Sequence, residues 1–406
     1  MPTLLTIALR NVARNRRRTL MTLAALVVGV GVLISVRGLM NGLQHALVQS
    51  VAEAQTGALQ VHRKGYLTNV LSSPLNLNMP ASVLAQVARV EGVRAVAGRI
   101  AFAGMVSSGE DTLFSSFIAV DPAAELRVCP MRERMLDPDS AFVGGGGFPD
   151  DGVLLTGELA RSIHLRPGGE AALLSPDIDG ALSGENMHLS GTMFLPLPGD
   201  KKVGMVPLAL AQKLLKMEGR VTEVAVAVDR LDDAEAVAAR LRVALGPELE
   251  VHTWAELVMF VRQAMTRQNF VISVIAVAFM LLMLLGVANT MVMSTLERTR
   301  EIGTMMAVGL RRERIMALFV LEAVFLGLIG ALLGSGVGVA AVLFMGQRGI
   351  EVIAPGSHIP FIINPIIRAS YVGGVVCLAT LGAALFSLYP AWRASRLRPV
   401  QALAGG

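Results

Sequence analysis

Four long apolar runs constrain the fold of this 406-residue chain more than any other feature. A helix needs about 20 mostly apolar residues to cross a bilayer. Only 17% of the residues are charged and 53% are hydrophobic, whereas about a quarter of the residues in soluble domains are charged. We therefore predict an α-helical membrane protein with four transmembrane helices, the last of which ends at Pro390. The runs are Thr19–Val36 with an extension to Leu43, Phe270–Met293, Ile315–Met345 and Tyr371–Tyr389.

The arginines beside these runs predict how the chain is oriented. Loops on the cytoplasmic side of a membrane carry an excess of Lys and Arg. Thirteen arginines lie before the first run, between the second and third, and after the fourth, against two between the third and fourth. We expect both termini in the cytoplasm and the long segment after the first run on the other side. The larger group is Arg10, Arg14, Arg16, Arg17, Arg18, Arg298, Arg300, Arg311, Arg312, Arg314, Arg393, Arg396 and Arg398, and the smaller is Arg348 and Arg368.

The first run also has the basic start and apolar stretch of a secretory signal peptide. It has no small-x-small cleavage site at its end and leads into Arg37 and Met40, so we expect an uncleaved anchor. The chain then divides into an interfacial cytoplasmic helix (1–18), four spans (19–43, 269–293, 315–345 and 369–389), an extracytoplasmic domain (44–268), a cytoplasmic helix and loop (294–314), a short outer loop (346–368) and a cytoplasmic tail (390–406).

Residues 44–268 are predicted to form a large α+β domain with two lobes. The Gly- and Asp-rich stretch Gly144–Gly191 is interpreted as the second lobe, with mobile loops. Asp232 or Asp233 is placed to cap an amphipathic helix. The predicted strands are Val93–Phe102, Thr112–Val120, Val221–Val228 and Glu248–Trp254, a short helix covers Ala81–Val90, and the apolar face of the amphipathic helix carries Ala234, Val237, Leu241 and Leu245.

Residue patterns that carry chemistry are missing from the sequence. The six histidines have no metal-ligand spacing, and no G-x-x-x-x-G-K-[ST] phosphate-binding pattern occurs. Cys129 and Cys377 are expected to be unpaired packing residues. We predict no catalytic residue, no metal and no cofactor bound by this chain, and we expect any ATP and Mg²⁺ to be bound by another chain. The arginines beside apolar runs and the 5% aromatic content favour lipid headgroups over nucleic acid.

The loop between the second and third runs, Ser294–Gly309, has the pattern of a helix that continues out of the second span. Glu297 with Arg300, and Arg298 with Glu301, have the spacing of opposite-charge pairs on a helix. Gly309 is placed to end that helix in a left-handed cap. An ordinary solvated loop with positive-inside arginines is the alternative.

The third run contains Gly330, Gly334 and Gly338, a stripe of small residues that lets helices approach closely. Packing inside the chain and a dimer-forming face both fit this stripe. Glu322 lies in the same run, where a charge is costly and usually faces protein or water. A hydrogen bond between helices is favoured for it over a substrate-binding or relay role.

Three cytoplasmic segments closely resemble the FtsX-like permeases, the membrane subunits of MacB-type (type VII) ABC transport systems. They are Leu296-Glu-Arg-Thr-Arg-Glu-Ile-Gly303, Ala307-Val-Gly309 and the tail from Tyr389 to Leu403. The resemblance implies a bacterial inner-membrane protein that works by mechanotransmission, with an ABC ATPase dimer and a second permease, identical or different, as partners. It identifies a helix that docks on the ATPase, with Glu297, Arg298, Arg300, Glu301 and Gly303 as contacts and Arg393 as a weaker one.

Leu39-Met-Asn-Gly-Leu-Gln44 resembles the segment after the first span in lipoprotein-releasing (LolC/LolE-type) permeases. That resemblance implies the extraction of lipoproteins or lipids, which would enter near Met40, Val261 and Phe270 and pass to a periplasmic carrier. The alternatives are an exporter of drugs, peptides or toxins, and a regulator of a periplasmic hydrolase that transports nothing.

Overall fold

The computed structural model describes residues 16–72, 75–137, 152–194, 202–353 and 360–396. The chain divides into two compact units, a helical unit (Met1–Gln44, Ala264–Ile350 and Ile362–Gly406) and a sheet domain (His45–Gln263 and Glu351–Phe361). Several sequence predictions lie outside the described residues: the interfacial helix up to residue 15, the start of the Gly144–Gly191 stretch up to residue 151, and the tail beyond residue 396.

The helices are, in chain order, α1 (Arg16–Val51), α2 (Val83–Ala88), α3 (Pro122–Val128), α4 (Gly157–Ser162), α5 (Leu208–Leu214), α6 (Ala234–Leu245), α7 (Trp254–Leu257), α8 (Met259–Glu297), α9 (Thr299–Ala307), α10 (Arg312–Arg348) and α11 (Ala369–Ser395). A π-helical turn (Ala52–Thr56) follows α1, and short 3₁₀ turns occur at Leu67–Ser72, Pro130–Met135 and Leu231–Asp233.

The strands are β1 (Leu59–Arg63), β2 (Met79–Pro80), β3 (Val93–Ser107), β4 (Thr112–Val120), β5 (Val153–Thr156), β6 (Glu170–Pro176), β7 (Leu182–Met193), β8 (Val203–Pro207), β9 (Arg220–Val221), β10 (Glu223–Val228), β11 (Leu249–Thr253), β12 (Ile350–Ile353) and β13 (Pro360–Ile363).

Among the described helices, α1, α8, α10 and α11 are long and apolar enough to cross a membrane. They extend beyond the apolar runs, because a helix can continue into polar sequence. The prediction that Pro390 ends the last helix is wrong, since α11 runs on to Ser395. Proline removes one backbone hydrogen bond from a helix interior. Here Pro390, Ala391 and Ala394 are buried, and the packing of the last turns holds the helix together.

The helical unit is built on close contact between α1 and α10. A Cβ added at Gly330 would lie 2.7 Å from Leu26 Cβ, and one added at Gly338 would lie 2.8 Å from Ile34 Cβ. Because real Cβ atoms do not approach this closely, only glycine allows α1 to pack here. The glycine stripe therefore packs inside the chain.

The sheet domain is organised by one nine-stranded sheet in the order β11-β1-β10-β3-β4-β8-β5-β7-β6. The 15-residue strand β3 is central: its first half pairs with β10, and its end pairs with β6. The β3–β6 pairing closes β3, β4, β8, β5, β7 and β6 into a ring of strands. The sheet therefore has an open part (β11, β1, β10 and β3) and a closed part, the ring, and the two share strand β3.

The stretch Gly144–Gly191, which the sequence predicts as a second lobe, joins the rest of the domain through the main sheet in its described residues. Its described strands β5, β6 and β7 belong to the same sheet as β1, β3 and β4. The domain nevertheless has two hydrophobic cores, one inside the ring around Phe102 and Phe117 and one between the open part, α2 and α6. Non-local strand pairing, which local sequence patterns do not encode, joins the two parts.

The amphipathic helix α6 buries Ala234, Val237 and Leu241, as its periodicity predicts. Asp233 occupies the position before α6, but its side chain makes no capping hydrogen bond. It lies 3.9 Å from Arg230 Nε instead, and the 3₁₀ turn Leu231–Asp233 leads into the helix.

A buried charge cluster in the sheet domain holds the π-helical turn after α1. Arg99 donates to both oxygens of Glu125, at 2.9 and 2.6 Å, and its Nη1 lies 3.3 Å from Glu223. Arg132 Nε lies 2.6 Å from Glu125 Oε1. Both guanidinium groups also donate to the carbonyl oxygen of Gln55, at 2.8 and 3.0 Å. Carbonyls at a helix end need partners from outside the helix, and the two arginines supply them.

The cluster changes the acidity of its members. Burial favours the protonated form of Glu223, but the facing His62 imidazole and the Arg99 guanidinium outweigh it and lower the pKa of Glu223 to about 2. The pKa of Glu125 is likewise lowered, because Arg132 and Arg99 outweigh burial. Burial raises the pKa of the Cys129 thiol, and both cysteines are unpaired, as predicted.

Gly334→Ala should destabilise the helical unit. The new Cβ would lie 2.9 Å from the Val27 carbonyl oxygen and 2.8 Å from Val30 Cβ, and overpacking of this kind costs about 1–3 kcal/mol. Gly336→Ala is the matched control, because its Cβ would meet no atom within 4 Å. Thermal unfolding in detergent measures the stability of both purified variants. Equal melting temperatures for the two would contradict the close packing of α1 on α10.

Acid should weaken the sheet domain through Glu223. The pKa of Glu223 is lowered from 4.5 to about 2, so its ionised carboxylate stabilises the folded domain at pH values above the unfolded-state pKa of 4.5. That stability is lost as the pH falls from about 4.5 towards 2. The shift corresponds to a free energy on the order of 3 kcal/mol. Glu223→Gln should lower the melting temperature at pH 7, and the difference from the wild type should shrink as the pH falls through about 4.5 and vanish only near or below about pH 2. Glu218→Gln, at an exposed position, is the control. A difference in melting temperature between Glu223→Gln and the wild type that stays constant across this pH range would refute the role of the charge.

Candidate coupling site

The candidate site lies where α8 turns into α9. The helix α8 ends at Glu297, and Arg298 leaves the helical region with φ −103° and ψ 20° before α9 begins at Thr299. The predicted helix is therefore broken by an elbow at one residue. Backbone hydrogen bonds from Arg298 N to Ser294 O and from Ile302 N to Arg298 O continue across the elbow.

Gly309 ends the α9 segment as predicted. Its φ is +92°, in the left-handed region that glycine adopts without strain. Gly309 N donates to Met306 O and Leu310 N donates to Met305 O, both at 3.0 Å. These two bonds form a Schellman cap, which satisfies carbonyl groups left open at a helix end.

One face of α9 is packed against the helical unit. Ile302 and Gly303 are buried, and Met305 and Met306 are half-buried. They share a hydrophobic cluster with Ile315 and Phe319 of α10 and with Ala391 and Ala394 of α11. This packing gives the short helix a fixed support, which its own length would not provide.

The opposite face of α9 is exposed and carries Arg300 and Glu301, and Glu297, the last residue of α8, is exposed as well. Thr304 and the 87% exposed Val308 lie on the same face. Sequence reasoning missed these two residues, although Arg300, Thr304 and Val308 follow at intervals of four, the spacing of one helix face. The exposed surface formed by Glu297, Arg300, Glu301, Thr304 and Val308 is called the α9 face below.

Arg298 and Gly303 do not belong to the α9 face. Arg298 is 8% exposed, and its Nη1 donates to Glu322 Oε1 of α10 at 3.1 Å. Glu322 is itself only 3% exposed. The sequence predicts the pairs Glu297–Arg300 and Arg298–Glu301, and the structure adds Glu322 of α10 as a buried partner of Arg298. A guanidinium and a carboxylate that are both removed from water stabilise each other far more than either stabilises an exposed partner.

Arginines dominate the charge around the α9 face. Arg393 at the end of α11 is exposed, and the neighbouring Arg396 stacks over Trp392 at 4.4 Å. The exposed charged residues of 297–314 and 393–396 are Glu297, Glu301, Glu313, Arg300, Arg311, Arg312, Arg314, Arg393 and Arg396, six cations against three anions. This surface is suited to a partner with an acidic rim.

The three residues predicted to meet a substrate occupy different surroundings. Met40 is half-buried, and Gln268 Nε2 lies 3.3 Å from its sulfur. Phe270 is 69% exposed on α8, whereas Val261 is only 7% exposed and belongs to the sheet domain. In the part of the chain that the structure describes, no group of His, Cys, Asp or Glu could hold a metal ion.

Two family models match the sequence. Residues 273–399 match the FtsX-like permease C-terminal model, and residues 19–244 match the MacB-like periplasmic core domain model. The second match covers more than half of the 406 residues. It spans the described strands from β1 to β10, so the sheet domain corresponds to that periplasmic core.

Individual proteins are similar to this chain over most of its length. A macrolide export ATP-binding/permease protein, MacB, from Nitrobacter winogradskyi is 28% identical, over 97% of this chain and 59% of the relative. An uncharacterized ABC transporter permease from Methanocaldococcus jannaschii is 24% identical, over 99% and 98% of the two chains. The crystal structure of the periplasmic region of MacB from Actinobacillus actinomycetemcomitans covers 52% of this chain and 95% of its own, at 8% identity and a TM-score of 0.36. The chain thus spans 59% of the length of the Nitrobacter MacB relative.

Arg298→Met should destabilise the helical unit by about 3–5 kcal/mol, because it leaves Glu322 buried without its cation. Adding Glu322→Met should recover a large part of that loss, since the double variant buries no charge. Arg300→Met, on the α9 face, should change stability by less than about 0.5 kcal/mol. Thermal unfolding in detergent of the wild type, Arg298→Met, Glu322→Met and the double variant gives a double-mutant cycle, and additive effects of the two changes would refute the ion pair.

Proposed function

The chain belongs to the FtsX-like, MacB-type family of ABC transporter permeases, and from that premise we propose that a separate cytoplasmic ABC ATPase drives it through the α9 face. The observation that carries the proposal is an exposed polar helix face on a rigid support. The α9 face carries both charge signs, and the other side of α9 is packed on α10 and α11. A push on this face would be transmitted to three spanning helices, α8, α10 and α11.

The elbow explains why the face is suited to transmit force. A soft loop would absorb the movement of a partner, whereas α9 is bounded by the Arg298–Glu322 ion pair at one end and the Schellman cap at the other. Of the residues implied by the family resemblance, Glu297, Arg300, Glu301 and Arg393 are proposed to contact the ATPase. Arg298 and Gly303 are proposed to hold α9 in place.

The proposed topology has both termini and α9 in the cytoplasm of a bacterial cell and the sheet domain in the periplasm, with the four helices in the inner membrane. It rests on the distribution of arginines along the sequence and on the match of the sheet domain to a periplasmic core. A second permease, identical or different, completes the proposed complex with the ATPase dimer.

We propose lipoproteins or lipids as the substrate, entering between α1 and α8 near Met40 and Phe270. Phe270 begins a row of exposed apolar side chains on α8 that includes Val271, Val274 and Ile275. An acyl chain could leave the bilayer along such a surface without exposure to water. The sheet domain would then hand the substrate to a periplasmic carrier.

Export of a small amphiphilic drug is the second candidate. It is favoured by the similarity to the Nitrobacter relative, a macrolide export ATP-binding/permease protein. Depletion of the chain in its native host separates the two candidates. Lipoproteins retained in the inner membrane would support extraction, and macrolide hypersensitivity with normal lipoprotein sorting would support export.

The double substitution Glu297→Ala with Arg300→Ala should uncouple the ATPase without unfolding the chain. Loss of contact residues of this kind typically costs about 1–3 kcal/mol, so the affinity for the ATPase should fall about tenfold or more. Purification of the tagged chain with its ATPase, followed by ATP hydrolysis in nanodiscs, measures the effect.

The control for this experiment is Glu235→Ala with Arg240→Ala, which removes the same two charges from the exposed side of α6 in the sheet domain. The control should retain wild-type hydrolysis. If the Glu297/Arg300 variant retained both the ATPase and wild-type coupled hydrolysis, the assignment of the α9 face would be wrong.

A further inference from the structure

We propose that Arg37, held by Asn269 at the end of the helical unit opposite α9, binds the phosphate group of a phospholipid. Arg37 Nη1 donates to Asn269 Oδ1 of α8 at 2.9 Å, and its guanidinium lies 5.8 Å from the ring centre of Tyr371 on α11. Three spanning helices, α1, α8 and α11, thus meet at one half-buried cation. The inference concerns this end of the helices and does not rest on the proposed function.

Arg37 is surrounded by neutral partners. The chain segments that form this end of the helical unit (33–44, 264–276, 340–350 and 362–375) contain four arginines and no Asp, Glu or Lys; the arginines are Arg37, Arg267, Arg348 and Arg368. A half-buried guanidinium beside apolar helices is costly unless an anion compensates its charge. An amide oxygen and an aromatic ring supply only partial charges, so the site favours an anion from outside the chain.

The neighbouring amides supply further donors. A guanidinium has no acceptor atom, so the Asn269 atom that faces Arg37 is the oxygen. The same oxygen accepts from Gln44 Nε2 at 3.2 Å, which fixes the amide and leaves Asn269 Nδ2 as a donor. Arg37 and Asn269 Nδ2 together match the oxygen-rich surface of a phosphate, which arginine binds in a forked geometry.

The depth of Arg37 favours a lipid as the source of the phosphate. Arg37 lies 18 residues after Thr19 on α1, which is about 27 Å along the helix. The hydrocarbon core of a bilayer is about 30 Å thick. If Thr19 enters the core from one side, Arg37 reaches the headgroup level on the other, where phosphodiesters are concentrated.

Native mass spectrometry of the full-length chain tests the site. The delipidated chain in detergent would be titrated with dioleoyl phosphatidylglycerol, with dioleoylglycerol, which lacks the phosphate, and with inorganic phosphate as competitor. We expect the phosphatidylglycerol to remain bound and the dioleoylglycerol to be lost. Arg37→Gln should weaken phosphatidylglycerol binding about tenfold or more, the range for a charge-assisted hydrogen bond.

Two further variants separate binding from folding. Asn269→Asp gives Arg37 a carboxylate partner inside the chain, so it should keep the wild-type melting temperature and still lose phosphatidylglycerol. Arg348→Gln is the matched control, because Arg348 lies at the same end of the unit but stacks on Phe344 at 4.6 Å, and its loss should leave binding unchanged.

Three results would overturn the proposal. Equal phosphatidylglycerol binding by the wild type and the Asn269→Asp variant would show that the cation is not the binding group. Equal binding of dioleoylglycerol would show that the acyl chains alone are recognised. Displacement of the lipid by inorganic phosphate would identify a site for free anions.

Discussion

The ion pair between Arg298 and Glu322 is the interaction on which the candidate coupling site depends. Both groups are buried, so neither is stable without the other. The pair fixes the elbow between α8 and α9 to α10, and it thereby determines which side of α9 is packed and which is exposed. The exposure of the charged residues on the α9 face therefore depends on the buried ion pair of Arg298 with Glu322.

The local sequence predicts some of this site and not the rest. The position of Gly309 and the helix around Ile302 follow from short-range patterns, because a glycine cap and an apolar face are encoded within one or two turns. The partner of Arg298 is not encoded in this way. Glu301 is three residues away and Glu322 is 24 residues away, and only the packing of α8 on α10 places the second carboxylate in reach.

The same distinction applies to the sheet domain. Alternation of apolar residues predicts β4 and most of β3. These two strands are consecutive in the chain and pair with each other in the sheet. It does not predict that the end of β3 pairs with β6, which closes the ring and joins the stretch after residue 144 to the same sheet. The burial of Arg99 with Glu125 and Glu223 is also not predicted by local sequence, because the two carboxylates that compensate its charge are distant from it in sequence.

Arg298 and Arg37 show how the surroundings of one residue type separate a structural role from a binding role. Arg298 follows the last residue of α8 and Arg37 lies within α1, and both are removed from bulk water to a large degree. Arg298 faces a carboxylate of its own chain, so its charge is already compensated and it has little to offer a ligand. Arg37 faces an amide oxygen and an aromatic ring. Its charge therefore remains available to an anion from outside the chain, which is why Arg37, and not Arg298, is proposed to bind a phospholipid phosphate.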